Sequence, residues 1–250
     1  MNSKIVRKCF QALLLAAGGV LAGMAQAAPL TYYWVDWTSW NPAGGTAAGV
    51  ITPSSGPQVT VTFEAINANG SAGSYMGVTS SGIWTPTTTY TGAQVANAPE
   101  YEALQLIGTP NMTYRVTLSE AIKDPLMAVT TLGSVADPAR YVFDSPFTIL
   151  SQGPTCCWGG GNNQLTQIAG NAVDGYPLEG REGAGVIEFI GTYSTFSWTV
   201  PDPEVWHAFT FGIRTTERLE PTPTGVPEPG SLALLGVGLI GLARLKRRRR

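Results

Sequence analysis

The chain has 250 residues and a formal charge of −2, and its composition is 44% hydrophobic, 10% aromatic and 13% charged. Only six of the 15 Lys and Arg residues lie between Ala28 and Glu228, whereas all 17 Asp and Glu residues lie there, which gives this body a formal charge of −11. A body this acidic and this poor in Lys and Arg cannot neutralise the phosphates of DNA or RNA, which argues against nucleic-acid binding.

The first 27 residues have the three parts of a secretory signal peptide. These parts are the positive residues Lys4, Arg7 and Lys8, the apolar run Phe10–Leu21, and the small residues Ala25 and Ala27 on either side of Gln26. Signal peptidase is expected to cleave after Ala27 and to leave a mature chain that begins at Ala28. The sequence therefore predicts an exported protein.

Residues 28–219 are predicted to form one all-β domain, because they are rich in Thr, Val, Gly, Ser and aromatic residues. Apolar and polar residues alternate along Gln58–Ile66 and Met112–Leu118, as they do in half-buried strands. The other predicted strands are Thr31–Trp37, Leu126–Leu132, Arg140–Phe143, Phe147–Ser151, Gly185–Ile190, Thr192–Val200 and Trp206–Arg214. Pro99–Ile107 indicates a helical turn.

The order of these elements predicts an antiparallel sandwich of two sheets. Strands follow one another without the strand–helix alternation of parallel sheets, and about twelve strands suit a jelly-roll or lectin-like sandwich better than a seven-stranded immunoglobulin fold. No repeat of roughly 20–50 residues occurs, which argues against a propeller or a solenoid.

Tryptophan is the residue type that points most directly to a binding role. Indole rings stack on the C–H faces of sugars while nearby polar groups bind the hydroxyls. Among the seven tryptophans, Trp37, Trp40 and Trp158 lie beside turns and are candidate glycan contacts, with packing at the sandwich ends as the alternative. Trp34, Trp198 and Trp206 alternate within strands and are predicted to be core residues.

The mature chain has two cysteines, which are the neighbours Cys156 and Cys157. Thiols usually pair in an oxidising envelope. A vicinal disulfide that stiffens the loop at Trp158 is one interpretation, pairing between chains is another, and two reduced, partly buried thiols are the third. The spacing fits neither a zinc site nor a redox-active Cys-x-x-Cys motif.

No catalytic constellation is evident, and the protein is predicted not to be an enzyme. His207 lies within a predicted strand and is interpreted as a packed or edge histidine. The alternative is a glycoside hydrolase, which needs two carboxylates that face one sugar across a cleft. Glu188 is a lone acid between apolar neighbours, whereas Glu179 and Glu182 are placed in or beside the turn Gly180–Gly183. Two carboxylates in one groove would favour hydrolysis, and one acid in a flat aromatic patch would favour binding.

No cofactor or metal site is predicted, with one reservation about calcium. Asp and Asn residues and backbone carbonyls collect near Asp174–Glu182 and Asp137, and calcium prefers such oxygen ligands. No EF-hand or repeat spacing supports this assignment.

The C-terminal 31 residues form a linker and a membrane segment. Pro221 and Pro223 favour an extended linker over residues 220–230, and an apolar run, Leu232–Ala243, precedes the terminal arginines within residues 231–250. Twelve helical residues cover roughly 18 Å, short of a ~30 Å hydrocarbon core, and snorkelling arginines extend this reach. The arginines are expected to remain cytoplasmic. An ordinary tail anchor is the alternative.

The linker contains the motif Val226-Pro227-Glu228-Pro229 shortly before the apolar run. With the apolar run and the arginine cluster, it resembles the PEP-CTERM sorting signal of bacterial envelope proteins. The resemblance implies export, transient retention in the inner membrane, and processing near Pro-Glu-Pro by an exosortase. Release or attachment at the cell surface would follow.

Three segments of the body are also similar to PEP-CTERM ectodomains, namely Trp34–Ser39, Gly180–Phe189 and Phe196–Pro201. The family implies a place in exopolysaccharide or biofilm matrix, and it offers no catalytic residue to carry over. We therefore expect a structural or adhesive surface protein with glycan contact, and a secreted carbohydrate-active enzyme as the alternative.

Overall fold

The structure is a computed structural model that describes residues 29–156 and 163–214. The predicted features outside these residues are the signal peptide with Ala25 and Ala27, Cys157, Trp158, the motif Val226–Pro229, and the C-terminal apolar segment. The chain divides into the units Met1–Thr216 and Glu217–Arg250, and every described residue belongs to the first. Within the described residues no helix has the length and apolar character needed to cross a membrane.

The described part is almost entirely β-structure. Its strands are β1 (Tyr32–Trp34), β2 (Asp36–Asn41), β3 (Thr46–Ile51), β4 (Val59–Ile66), β5 (Gly77–Thr79), β6 (Ala103–Gly108), β7 (Thr113–Lys123), β8 (Leu126–Leu132), β9 (Ala139–Phe143), β10 (Phe147–Gln152), β11 (Gln164–Gln167), β12 (Tyr176–Arg181), β13 (Gly183–Phe189), β14 (Thr192–Thr199) and β15 (Glu204–Arg214). Two short 3₁₀ helices, Ser81–Ile83 and Thr87–Thr89, lie between β5 and β6.

These strands form two antiparallel sheets. The first has the order β10-β13-β8-β15-β6-β5, and β1 also pairs with β15. The second has the order β11-β12-β9-β14-β7-β4-β3-β2. The first and last strands of the described chain are therefore hydrogen-bonded neighbours in one sheet.

The main core lies between the inner faces of the two sheets. Phe63 on β4 and Trp198 on β14 come from one sheet, Phe209 on β15 comes from the other, and all three are buried. Trp198 meets Phe209 edge-on, with 5.0 Å between ring centroids. Apolar residues alternate with exposed ones along β4, so one face of this sheet is buried and the other meets solvent. The predicted all-β architecture with two antiparallel sheets is confirmed.

A second, smaller core covers the outer face of the first sheet. The segment that contains the two 3₁₀ helices brings Trp84 and Tyr90 over Trp34, Ala128 and Val186. The Trp84 and Tyr90 rings meet edge-on at 5.2 Å, and Trp84 Nε1 donates a hydrogen bond to the Tyr101 carbonyl at 2.8 Å. One sheet is thus buried on both faces, which explains why every residue of β8 and β13 is buried.

Most predicted strands are present, and Leu126–Leu132 has the bounds of β8. The predicted strand Thr31–Trp37 is instead divided at Val35 into β1 and β2, which belong to different sheets. The helical turn predicted for Pro99–Ile107 is wrong, since β6 pairs there with β5 and β15. Cross-strand pairing overrides the weak local helical pattern in this segment.

Candidate functional site

Trp37 is not a surface residue, and the prediction that it contacts glycan is wrong. Its side chain is only 2% exposed and meets Phe209 edge-on, with 6.5 Å between centroids. The segment predicted as a turn is part of β2, and Trp37 takes an inward position opposite Gly49. An indole that packs between the sheets has no free face for a sugar.

Trp40 is exposed, in contrast to Trp37 three residues earlier. Its side chain is 51% exposed on β2, the edge strand of the second sheet. A β-bulge between Trp37 and Ser39 shifts the register of β2 against β3, so Trp37 pairs with Gly49 and Trp40 pairs with Ala47, and both tryptophans take inward-facing positions although they are three residues apart. Trp40 is nevertheless exposed at the end of this edge strand. Of the three predicted glycan-contact tryptophans, Trp40 is the one that the structure places at the surface, and Trp158 lies outside the described residues.

An open groove of about 430 Å³ runs beside Trp40. Its polar lining residues are Ser39, Asn41, Thr46, Thr62 and Glu64. Glu64 lies 3.7 Å from Arg115 in a solvent-exposed ion pair, so its charge has a partner at the groove edge. The groove presents hydroxyl, amide and carboxylate groups on the outer face of β2, β3 and β4, whereas Trp40 pairs with the buried Ala47 and has its side chain on the opposite face of β2.

Cys156 is disulfide-bonded, and its partner lies outside the described residues. The side chain packs against the small core that contains Trp84 and Val186. The vicinal pairing with Cys157 stays a prediction.

A second concave site lies at one end of the sandwich. This end cleft, of about 390 Å³, is lined by Thr131, Gly133, Ser134, Asp137, Glu182, Pro203, Glu204, Val205 and Trp206. Its walls come from the β8–β9 connection, the β12–β13 turn and the start of β15. Sequence analysis placed Trp206 in the core, and the structure places it half-buried at this cleft.

The end cleft depends on a tight backbone approach at Gly133. Gly133 has a φ of 69°, and a Cβ there would collide with the Gly180 carbonyl oxygen. Its N–H donates a 2.6 Å hydrogen bond to Glu204 Oε1, and its carbonyl accepts one from Glu182 N–H at 3.0 Å. Thr131 and Glu182 also have positive φ, of 53° and 51°, which is costly for residues with a Cβ.

Behind the cleft, Glu204 meets the buried His207. Glu204 Oε2 lies 2.9 Å from His207 Nδ1, and the side chains are 8% and 0% exposed. The two atoms are close enough for an ion pair, although they are not aligned as a hydrogen bond. His207 also packs edge-on against Tyr141 at 5.2 Å. His207 is thus a packed histidine, as predicted, and sequence analysis missed its partner because only a bulge in β15 brings Glu204 to it.

Burial and this carboxylate change the acidity of the neighbouring groups. Burial, and secondarily the charge of Glu204, raises the pKa of Glu182 above its ordinary value. The same two causes raise the pKa of Tyr141 well above its usual range. Two carboxylates therefore line one cleft, and they repel each other.

We expect Glu182→Gln to stabilise the protein near neutral pH and not in acid. Because the pKa of Glu182 is raised in the folded state, the folded state binds this proton more tightly, and stability falls as pH rises from roughly 4 through the raised pKa. Glutamine removes that penalty. Urea unfolding of wild type and E182Q at both ends of this range measures the effect, and an identical difference at every pH would contradict it.

The other acids named by the sequence lie elsewhere. Glu188 is buried on β13 and lies 3.2 Å from Arg214, and burial raises its pKa. Glu179 lies on β12 within 3.6 Å of Arg181, so it belongs to a strand and not to the turn. Within residues 29–156 and 163–214, no group of three or more His, Cys, Asp or Glu side chains is arranged to hold a metal ion. Calcium binding stays a prediction.

Comparison with known proteins identifies the C-terminal segment. Residues 225–250 match the family model for the PEP-CTERM protein-sorting motif. The chain carries a PEP-CTERM sorting signal. This signal implies export, sorting by an exosortase and a location at the surface of the cell envelope. Comparison with curated proteins and with solved structures gave no match.

The PEP-CTERM match covers the tail alone, so the role of the sandwich depends on its own geometry. The groove at Trp40 and the end cleft are two concave sites among the described residues. The first has hydroxyl, amide and carboxylate groups at the edge where Trp40 is exposed, whereas the second has two carboxylates beside a half-buried indole.

Proposed function

We propose that the sandwich is a lectin-like, non-catalytic module that binds glycan at the cell surface through the groove at Trp40. The observation that carries this proposal is the 51% exposed Trp40 on the edge strand β2, at the same edge as a groove lined by hydroxyl and amide groups. The exposed part of an indole can stack on the C–H face of a sugar. Exopolysaccharide of a biofilm matrix is the glycan we propose.

The sorting signal supplies the location in which such a module would work. We propose that the C-terminal apolar segment crosses the inner membrane as a helix until an exosortase processes the chain near Glu228. The sandwich would then reach the surface with its groove open to extracellular polysaccharide. Adhesion or matrix organisation follows from that placement, since each bound chain is held at the envelope.

The test is binding of the full chain, in mild detergent, to polysaccharides cast into native gels. We expect wild type to be retarded by at least one of hydroxyethylcellulose, dextran and alginate. Trp40→Ala should lose about tenfold in affinity, because stacking of a sugar on an indole ring contributes roughly 1–1.5 kcal/mol. Trp40→Phe should retain part of the binding. Val173→Ala is the control, since Val173 is 92% exposed near the opposite edge of the same sheet.

Retardation by none of the three polymers would contradict the proposal, and so would equal retardation of wild type and Trp40→Ala. The control variant should match wild type in both migration and unfolding temperature.

Glycoside hydrolysis is the second candidate, favoured by the presence of Glu182 and Glu204 in one cleft. One oxygen of Glu204 accepts a hydrogen bond from the Gly133 N–H, and the other lies 2.9 Å from Nδ1 of the buried His207. A carboxylate held in this way is poorly placed to attack a sugar or to activate water, which is why binding is preferred. Release of reducing ends from the same polymers, lost in E182Q, would establish hydrolysis instead.

A further inference from the structure

We propose that Asn69 is a site of spontaneous deamidation, in which a carboxylate replaces its side-chain amide. Gly70 follows Asn69, and this is the one Asn-Gly pair in the sequence. The pair lies after β4 in the turn Asn67–Ser71, whose residues 68–71 are exposed. The modification goes beyond the proposed glycan binding and does not depend on it.

Hydrogen bonds hold the Asn69 side chain in a bent arrangement. Its Oδ1 accepts one bond from the Ser71 N–H at 3.0 Å and another from the Ser71 hydroxyl at 2.7 Å. A side chain that reaches the N–H two residues ahead curls over the intervening peptide bond, which brings its carbonyl carbon, Cγ, toward the Gly70 nitrogen. The two donors also stabilise the negative charge that develops on Oδ1 when Cγ is attacked.

Gly70 leaves the approach to Cγ open. It has a φ of 81°, and even a Cβ placed on it would meet nothing within 4 Å. The glycine itself has no Cβ that could hinder its nitrogen. Within the described residues, Nδ2 of Asn69, the group that leaves, has no hydrogen-bond partner that holds it in place.

The reaction balances with water as its co-reactant. The deprotonated Gly70 nitrogen attacks Cγ of Asn69, so a new C–N bond forms and the Cγ–Nδ2 bond breaks. Nδ2 leaves as ammonia with the proton that Gly70 has lost, and a five-membered succinimide ring remains. Water then opens the ring at either of its carbonyls, which gives aspartate or isoaspartate. The net change is the uptake of water and the release of ammonia.

One hydrogen bond in the turn opposes this reaction. The Gly70 N–H donates to the Asn67 carbonyl at 2.8 Å, and this bond must open before the nitrogen can be deprotonated. Exposed turns open easily, and the loss of one such bond slows the reaction by about tenfold at most. The folded protein is therefore expected to react more slowly than the unfolded chain, but still at a measurable rate.

Asn171 offers a matched comparison within the same chain. It is exposed, and its Oδ1 accepts a hydrogen bond from the Val173 N–H at 2.8 Å, which is the same side-chain turn as at Asn69. Ala172 follows it in place of a glycine, and its Nδ2 donates to Asp174 at 2.8 Å. Asn171 should therefore keep its amide over the time in which Asn69 loses it.

The modification would change both the charge and the shape of the turn. Each modified copy gains one negative charge on a body of formal charge −11. Isoaspartate also adds a carbon to the main chain between Asn69 and Gly70. The bond from the Asn67 N–H to the Ser71 carbonyl, at 2.9 Å, closes the present turn, and a longer main chain would not retain it.

The experiment is incubation of the full-length wild type, in mild detergent and heavy-oxygen water, at mildly acidic, neutral and mildly alkaline pH. Pepsin digestion in acid, where the reaction is slow, and mass spectrometry then locate the incorporated oxygen. We expect Asn69 to be labelled at least about tenfold more than Asn171, because glycine leaves the attacking nitrogen unhindered. The rate should increase by about tenfold per pH unit, as the deprotonated fraction of the Gly70 amide does.

Two variants test the geometry of the turn. Gly70→Ala should lose most of the labelling, and its unfolding temperature is checked because alanine is costly at a positive φ. Ser71→Ala keeps the glycine and the backbone N–H, and it should slow the reaction by about threefold because one donor to Oδ1 is removed. Ser74→Ala is the control, since Ser74 is exposed three residues further along the chain.

Equal labelling of Asn69 and Asn171 in the folded wild type would overturn the inference. Labelling of Asn69 that occurs only after unfolding in urea would overturn it as well, and so would an unchanged rate in a folded Gly70→Ala variant. None of these results affects the proposed glycan binding, which is tested separately through Trp40.

Discussion

Replacing Glu204 with alanine is expected to lower the free energy of unfolding by about 3 kcal/mol. The substitution removes the acceptor of the Gly133 N–H, which is bonded at 2.6 Å, and it removes the carboxylate 2.9 Å from the buried His207. Both partners would remain in place without an alternative contact. For a domain of this size, the loss corresponds to a fall of roughly 6–12 °C in the unfolding temperature.

The matched control is Glu64→Ala, which removes a carboxylate of the same length from an exposed pair. Glu64 is 50% exposed and lies 3.7 Å from Arg115. Such surface pairs contribute little, so its unfolding temperature should change by no more than the equivalent of about 0.5 kcal/mol. Thermal unfolding followed by circular dichroism measures both variants. Equal shifts in E204A and E64A would show that the end cleft has no special role in stability.

Glu228→Ala or Pro229→Ala is expected to block processing almost completely and to leave a membrane-retained precursor. These residues belong to the motif within the matched segment 225–250. An exosortase must recognise the motif before it can cleave there, so the apolar segment would stay attached. Immunoblots of fractionated cells should show the precursor with the membranes, and intact mass should show the uncleaved tail.

Glu220→Ala is the control for this experiment, because Glu220 is an acidic residue before a proline in the same linker but outside the matched segment. The E220A protein should be processed and localised as wild type is. Normal mass and fractionation of the Glu228 variant would contradict the role of the motif in sorting.

Sequence periodicity predicted the strands well where one face of a strand is buried. The sequence of β4 alternates Val59, Val61 and Phe63 with threonines, and the structure buries these three apolar side chains and exposes the threonines. β8 was predicted with the correct bounds, and the structure buries all of its residues, which are mostly apolar and lie in a sheet that is covered on both faces. The alternation in β4 and the mostly apolar sequence of β8 are both visible in the local sequence.

Register and sheet assignment were not predictable from the same patterns. The bulge between Trp37 and Ser39 puts Trp37 and Trp40 on the same face of β2, where regular alternation would put them on opposite faces, and nothing in the local residues specifies that extra residue. The break at Val35, where the chain changes sheets, is similarly a result of long-range pairing. The candidate groove was therefore predicted in part, through Trp40.

The end cleft was missed because its parts are distant in sequence. Gly133, Glu182 and Glu204 come from three separate connections. A glycine with positive φ leaves no clear signal in a chain with 30 glycines. Glu204 and His207 are only three residues apart, but regular alternation would put them on opposite faces of a strand.

Because the first strand of the domain pairs with the last, the sandwich can finish folding only after the last strand has been synthesised. Tyr32 and Arg214 lie 182 residues apart and meet at one edge of β15, which is also the strand between β6 and β8. A chain that stops before β15 leaves two sheet edges open, and such edges attract proteases and aggregate. Each folded copy must therefore have been synthesised through to β15, whose last residue, Arg214, comes 11 residues before the segment that matches the sorting motif.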